Sequence, residues 1–175
     1  HSDFNALVAA VRLAEKRLLE LCGRFGVDTV QSAMDELLER NRRAMLHLIQ
    51  TTIGKEERVS FEDYVDDDGK GMGPYTLACT MWREGDLLVF DFEGTDPQSA
   101  SSINMLLNEE MFKMFVGGHL INIFDPQIMF NDGFYVHVDV RSPPGTILKP
   151  LKPAALSSRT HMLARIFDVL GGLLG

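Results

Sequence analysis

The sequence predicts an α+β domain: an N-terminal antiparallel helical hairpin, an antiparallel β-meander, a buried apolar helix, a short strand and a C-terminal helix. Three observations predict it. Apolar residues recur at helical spacing through residues 5–54 and then stop at Gly54. Beyond Gly54 the period changes to two, in segments separated by turn residues. Last come a long apolar run, a short alternating segment and a stretch opened by paired serines.

Asn5 to Arg24 places Leu7, Val11, Ala14, Leu18 and Leu21 on one helical stripe, with Arg12, Glu15, Lys16 and Glu20 elsewhere around the axis. Gly23 and Gly26 punctuate its end. Asp28 can cap a second helix, and Gln31 three residues on fits a capping box. Val30, Met34, Leu37, Asn41, Ala44 and Leu48 alternate by four and three, a heptad-like seam interrupted by one Asn. Asn41 reads as a register-fixing or partner-facing amide, or more plainly as a polar residue at the edge of the stripe. The short connection predicts that the helices fold back on each other. Residues 1–54 are then a helical hairpin and residues 55–175 an α+β portion.

Arg58–Val65, Tyr75–Trp82 and Leu87–Phe92 alternate as strands and predict a meander, with Arg83-Glu84-Gly85-Asp86 as the second turn. Between the first two lies Asp66-Asp67-Asp68-Gly69-Lys70-Gly71-Met72-Gly73-Pro74. A calcium loop needs acids at alternate positions and a distal Glu. Here the Asp residues are contiguous and that Glu is missing, so a solvated acidic turn is the simpler reading and a cation site the alternative.

The run Asn104–Phe124 is apolar most of the way round, which predicts a helix that is buried or meets another subunit. Gly117-Gly118 costs such a helix about 1 kcal/mol per residue relative to Ala, which points to close packing. His119 among apolar neighbours reads as a hydrogen-bonded core or interface histidine. Phe134–Val140 alternates as a strand, the prolines after Arg141 mark an edge or loop, and Ser157-Ser158 can cap a helix over Arg159–Leu170. The apolar ending Val169–Gly175 is expected to be an exposed tail, and so the mark of a piece cut from a longer polypeptide.

The bulk numbers exclude several classes. The chain of 175 residues, 45% apolar and 24% charged, can bury a sizeable core. A net charge of −8 argues against a nucleic-acid surface, which needs clustered Lys and Arg. No cationic-then-apolar leader follows His1-Ser2-Asp3, and no apolar stretch reaches about 18 residues without a charge, so neither secretion nor a membrane span is expected. Cys22 and Cys79 sit in apolar runs and read as buried thiols of a reducing, cytoplasmic compartment.

Chemistry is sparse. No Gly-rich phosphate loop follows a strand, no His or Cys pairs have zinc spacing, and no nucleophile elbow occurs. No cofactor or metal site is therefore expected in these residues. Three features could line a site: Asp91 and Glu93 at a strand end, Asn104 at a helix start, and Arg159 with His161 at another helix start. A helix N-terminus with an arginine could hold a carboxylate or phosphate. The competing reading makes all five capping and turn residues.

Several strings, in order and spacing, resemble the hydantoinase B/oxoprolinase family. They are Arg17-Leu18-Leu19-Glu20-Leu21, Arg24-Phe25-Gly26-Val27-Asp28-Thr29-Val30, Phe61 to Gly69, Gly73-Pro74, Val89-Phe90-Asp91-Phe92-Glu93-Gly94-Thr95, Ile103-Asn104, Asn131-Asp132-Gly133 and Pro144-Gly145-Thr146-Ile147-Leu148. The family includes the B-type components of N-methylhydantoinases, the second half of 5-oxoprolinases and the large subunits of acetone and acetophenone carboxylases. Asn108–Phe115 looks more like the carboxylase branch. The resemblance implies a parent enzyme that uses ATP to activate an amide or ketone oxygen, followed by hydrolysis or carboxylation. It implies that ATP is held by a hydantoinase A-type partner subunit or domain, that a divalent metal lies upstream of these residues, and that the parent is a hetero-oligomer. The fragment alone is then expected to be inactive. The alternative from another class is a non-catalytic assembly module, with a calcium-binding domain third.

Overall fold

A four-stranded sheet in the order β1-β2-β3-β4 organises the molecule: β1 Arg58–Val65, β2 Tyr75–Glu84, β3 Leu87–Asp91 and β4 Val138–Arg141. The computed structural model describes residues 2–55 and 57–175, leaving His1 and Glu56 outside the described residues. β1 pairs antiparallel with β2 from Arg58↔Trp82 to Val65↔Tyr75, and β2 with β3 from Thr80↔Asp91 to Glu84↔Leu87. These are the predicted meander. β4 joins parallel to β3, Leu88↔Val138 through Asp91↔Arg141. Parallel neighbours need a crossover, and helix α3 (Glu109–Phe124) supplies it.

One face of the sheet is the core. Leu77, Cys79 and Met81 of β2, Leu88 and Phe90 of β3, and Val138 and Val140 of β4 are all buried in one cluster. Phe112 of α3 meets Phe90 edge-on at 5.3 Å and Phe92 at 5.2 Å between ring centroids. Edge-on pairs set the positive rim of one ring against the negative face of the other. Gly117 lies under the ring of Phe134, too close for any side chain, so the close packing expected at the glycine pair falls on its first member. Phe112, Val116, Gly117, Leu120 and Ile121 are buried, while Met114, Ile123 and Phe124 remain exposed.

Three sequence expectations need correction. First, the helix predicted from Asn104 starts at Glu109, because Asn108 caps it by accepting from Met111 N at 2.8 Å. Residues 104–107 are extended instead: Met105 N and Leu107 N donate to Ile147 O and Leu148 O at 2.9 and 2.8 Å. Second, the strand predicted over Phe134–Val140 is a 3-10 helix over Asp132–His137 followed by the short β4, because the Asn131 side chain accepts from Gly133 N and starts a turn. Third, the apolar C-terminus is not a loose tail. Helix α4 runs Arg159–Leu174 and buries Val169, Leu170, Leu173 and Leu174 across β1 and β2, with Gly172 under the ring of Phe61.

The chain contacts group into two compact units, His1–Arg40 and Asn41–Gly175. In the first, α1 (Ser2–Phe25) meets α2 (Val27–Thr52) through Gly26 alone, whose φ of +85° and amide bond to Cys22 O at 2.9 Å end α1 in a left-handed cap. The predicted helices are there. Their predicted seam is open: no residue of α1 is buried, and Leu7, Val11, Leu18 and Leu21 stay exposed. In the second unit, Met45, Leu48 and Ile49 from the last turns of α2 belong to the core. Asn41 is buried there as a register-fixing amide, donating to Asn131 O at 2.9 Å and Oδ1 at 2.8 Å.

Candidate functional site

A cleft of about 570 Å³ opens where the segment 104–111 faces the segment 156–159. Asn104, Asn108 and Met111 line one wall, and Leu156, Ser157 and Arg159 the other. The backbone of residues 103 and 104 bridges to Leu156, which ties the two walls at their base.

Two of the five predicted residues meet here. Arg159 is the first residue of α4, exposed, with Nη2 donating to Met111 Sδ at 3.5 Å. No carboxylate pairs with it among the described residues. Ser158 stands at the N-cap of α4 but gives no side-chain cap bond, and the first turn of α4 carries no acid. The free N–H groups and the guanidinium therefore point the same sign of potential at the cleft. The facing helix start is already compensated: Asn108 caps α3, Glu109 and Glu110 fill its first turn, and Lys149 pairs with Glu109 at 3.6 Å.

Asn104 reaches the cleft as part of its wall, not as a free amide. It is fully buried, and all of its hydrogen-bonding capacity goes to the protein. Oδ1 accepts from Ser99 N at 2.8 Å, and Nδ2 donates to Ser99 O at 2.9 Å, Ser101 O at 3.0 Å and Ala155 O at 3.1 Å. The other three candidates lie elsewhere. Asp91 accepts from Glu93 N at 3.0 Å and closes the turn that ends β3, while Glu93 is exposed. His161 lines a separate cleft of about 240 Å³ with Tyr64, Asp66 and Arg165. His119 of α3 bonds Phe115 O at 2.9 Å and stacks on Phe167.

Sequence reasoning missed Asp68, Ser99 and Asn108. Asp68 belongs to the triple-Asp turn, yet its side chain points inward. Oδ1 accepts from Lys70 N at 2.9 Å and Met72 N at 3.1 Å, and Oδ2 from Ser99 Oγ at 3.2 Å and Tyr75 Oη at 3.4 Å. Burial pushes this carboxyl up, but the backbone bonds from Lys70 and Met72, with Ser99 and Tyr75, outweigh it and hold Asp68 below the usual carboxylate range. The only sequence hint was that Gly69 and Gly71 follow it, permitting a tight return. Ser99 is buried and shares a hydrogen bond with Ser101 at 3.0 Å.

The cleft can bind and orient an anionic or carbonyl-bearing group. No carboxylate, histidine or cysteine lines it among the described residues, so no general base is at hand within it. Among the described residues no group of three or more His, Cys, Asp or Glu side chains could hold a metal ion, and no helix is long and apolar enough to cross a membrane. No metal-dependent step is assigned to these residues.

Known proteins share this architecture. The hydantoinase B/oxoprolinase family model matches residues 1–175. The B component of a D-/L-hydantoinase from Pseudomonas sp. (strain NS671) is 27% identical over 96% of this chain and 30% of its own length. The crystal structure of ATP-dependent caprolactamase from Pseudomonas jessenii superposes with a TM-score of 0.77 at 24% identity, over 98% of this chain and 28% of that one. A nucleotide-free acetone carboxylase structure superposes with a TM-score of 0.64 at 20% identity, over 82% of this chain and 20% of that one. Below 25% identity these likenesses establish a shared fold. The chain thus spans about a third or less of the proteins it matches. With the family model covering every residue, the chain belongs to the hydantoinase B/oxoprolinase family.

Proposed function

We propose that this chain is part of an ATP-dependent enzyme subunit that opens the C–N bond of a cyclic amide. The observation that carries the reading is the family match across residues 1–175, joined to a relative named as a hydantoinase component. The cleft is consistent with it. An amide oxygen gains negative charge as it is activated, and an unpaired guanidinium beside uncapped helix N–H groups stabilises such charge. A cleft without an acid or base does not complete hydrolysis, which requires groups from another part of the subunit or a partner.

In this reading ATP is held by a hydantoinase A-type partner subunit or domain, the assembly is a hetero-oligomer, and it works in the cytoplasm. The test is reconstitution of the full-length subunit with its ATP-binding partner, assayed for ADP release with hydantoin, caprolactam or 5-oxoproline, and separately with a ketone and bicarbonate. Ring opening coupled to ADP release supports the proposal, and Arg159→Gln is expected to lower kcat/KM by about tenfold or more. Turnover only with the ketone would shift the reading to carboxylation. Turnover by residues 1–175 alone would overturn the claim that the site is incomplete.

A further inference from the structure

We propose that Ser99 and Asp68 are positioning residues for the cleft, so that the acidic turn acts as an anchor of the site and not as a solvated loop or cation site. The inference rests on the reading of the cleft as a place where an anionic or carbonyl group binds.

One chain of hydrogen bonds connects the turn to the cleft. Asn104 is the crossbar of the cleft: it forms part of one wall, and its Nδ2 holds Ala155 O, just before the other wall begins at Leu156. The crossbar is held by Ser99 at both ends of its amide, with Ser99 N donating to Oδ1 and Ser99 O accepting from Nδ2. Ser99 is held in turn by its hydroxyl, which donates to Asp68 Oδ2 at 3.2 Å and accepts from Tyr75 Oη at 3.1 Å and from Ser101 N at 3.0 Å. Asp68 is fixed by the backbone of its own turn, through Lys70 N and Met72 N. Ser99, Ser101 and Asn104 are at most 5% exposed, so water does not substitute freely for a lost partner. A network this buried transmits a displacement instead of absorbing it. Loss of the Ser99 hydroxyl or the Asp68 charge frees the Asn104 crossbar, and Leu156 to Arg159 move relative to Asn108 and Met111.

The test uses the full chain with inorganic phosphate as the probe, followed through the amide resonances of Ser157, Arg159 and Thr160. Wild-type protein is expected to bind phosphate there, and Arg159→Gln to lose it. Ser99→Ala and Asp68→Asn are expected to weaken phosphate about tenfold, although neither residue lines the cleft. Ser99→Thr, which keeps the hydroxyl, is expected to restore binding. Ser60→Ala removes a comparable hydroxyl pair, with Thr80, on an exposed part of the sheet and is expected to leave binding unchanged. Ser99→Ala and Asp68→Asn binding as wild type would overturn the proposal. So would an equal loss in Ser99→Thr, which would signify general damage. If wild-type protein itself ignores phosphate, the anion-binding reading of the cleft fails, and the positioning claim is decided without probe. Shifted Leu156–Arg159 resonances in Ser99→Ala and Asp68→Asn but not in Ser60→Ala support it, and unshifted ones overturn it.

Discussion

Gly117 of α3 and Phe134 of the 3-10 helix pack with no room for a methyl group between them: a Cβ on Gly117 would fall inside the Phe134 ring. Phe134 is fully buried and meets Tyr135 edge-on at 4.8 Å, so the ring has nowhere to retreat. Gly118, the next residue, faces open space. The pair makes an internally controlled experiment. Gly117→Ala is expected to lose about 1–3 kcal/mol through overpacking. Gly118→Ala is expected to gain up to about 1 kcal/mol from helix propensity. Urea unfolding of both variants checks this, and equal effects would contradict the packing described.

Asn104 offers a second test. Asn104→Asp keeps the acceptor for Ser99 N but turns the donor of three bonds into a carboxylate oxygen facing the carbonyls of Ser99, Ser101 and Ala155. A buried carbonyl left without its donor costs about 1–3 kcal/mol. The loss on denaturant titration is expected to reach about 3 kcal/mol or more. A loss under about 1 kcal/mol would mean the amide is not the crossbar.

Asp68 predicts a pH dependence. Its carboxyl is held below the ordinary value of 3.8, so the folded state binds this proton less readily than the unfolded state. The stability this contributes is therefore present above the unfolded pKa and is lost as pH falls through the lower folded value. Asp68→Asn is expected to flatten this part of the acid limb of a stability profile while lowering the plateau near neutral pH. An unchanged acid limb would show that Asp68 is not held in its charged form.

The cysteines differ in environment. Cys79 is 1% exposed inside β2, and burial first, then the charge of Asp91, pushes its thiol far above the usual range. Cys22 is half-buried on α1. The thiolate is the reactive form. Iodoacetamide at mildly alkaline pH is expected to modify Cys22 in native protein and Cys79 only in urea, as read by peptide mass analysis. Native labelling of Cys79 would require β2 to open.

The residues alone determined the local elements. Period-two alternation in Tyr75–Trp82 and Leu87–Phe92 and the turn at Gly85 specify a hairpin because both signals act within a few residues. The apolar stripe of residues 5–24 specifies a helix for the same reason. The family, too, was legible in ordered short strings such as Val89 to Thr95. What only the tertiary structure decided was where distant pieces meet. β4 alternates in the same way whether its neighbour is parallel or antiparallel, so only the α3 crossover sets its direction. The Val169–Leu174 run looks like a loose end in sequence and becomes core because α4 lies across β1 and β2. The cleft depends on Asn104 reaching Ala155 and on Asp68 reaching Ser99. Hydrogen bonds between residues that far apart leave no periodic trace in a sequence, because they depend on how loops are brought together and not on the residues beside them.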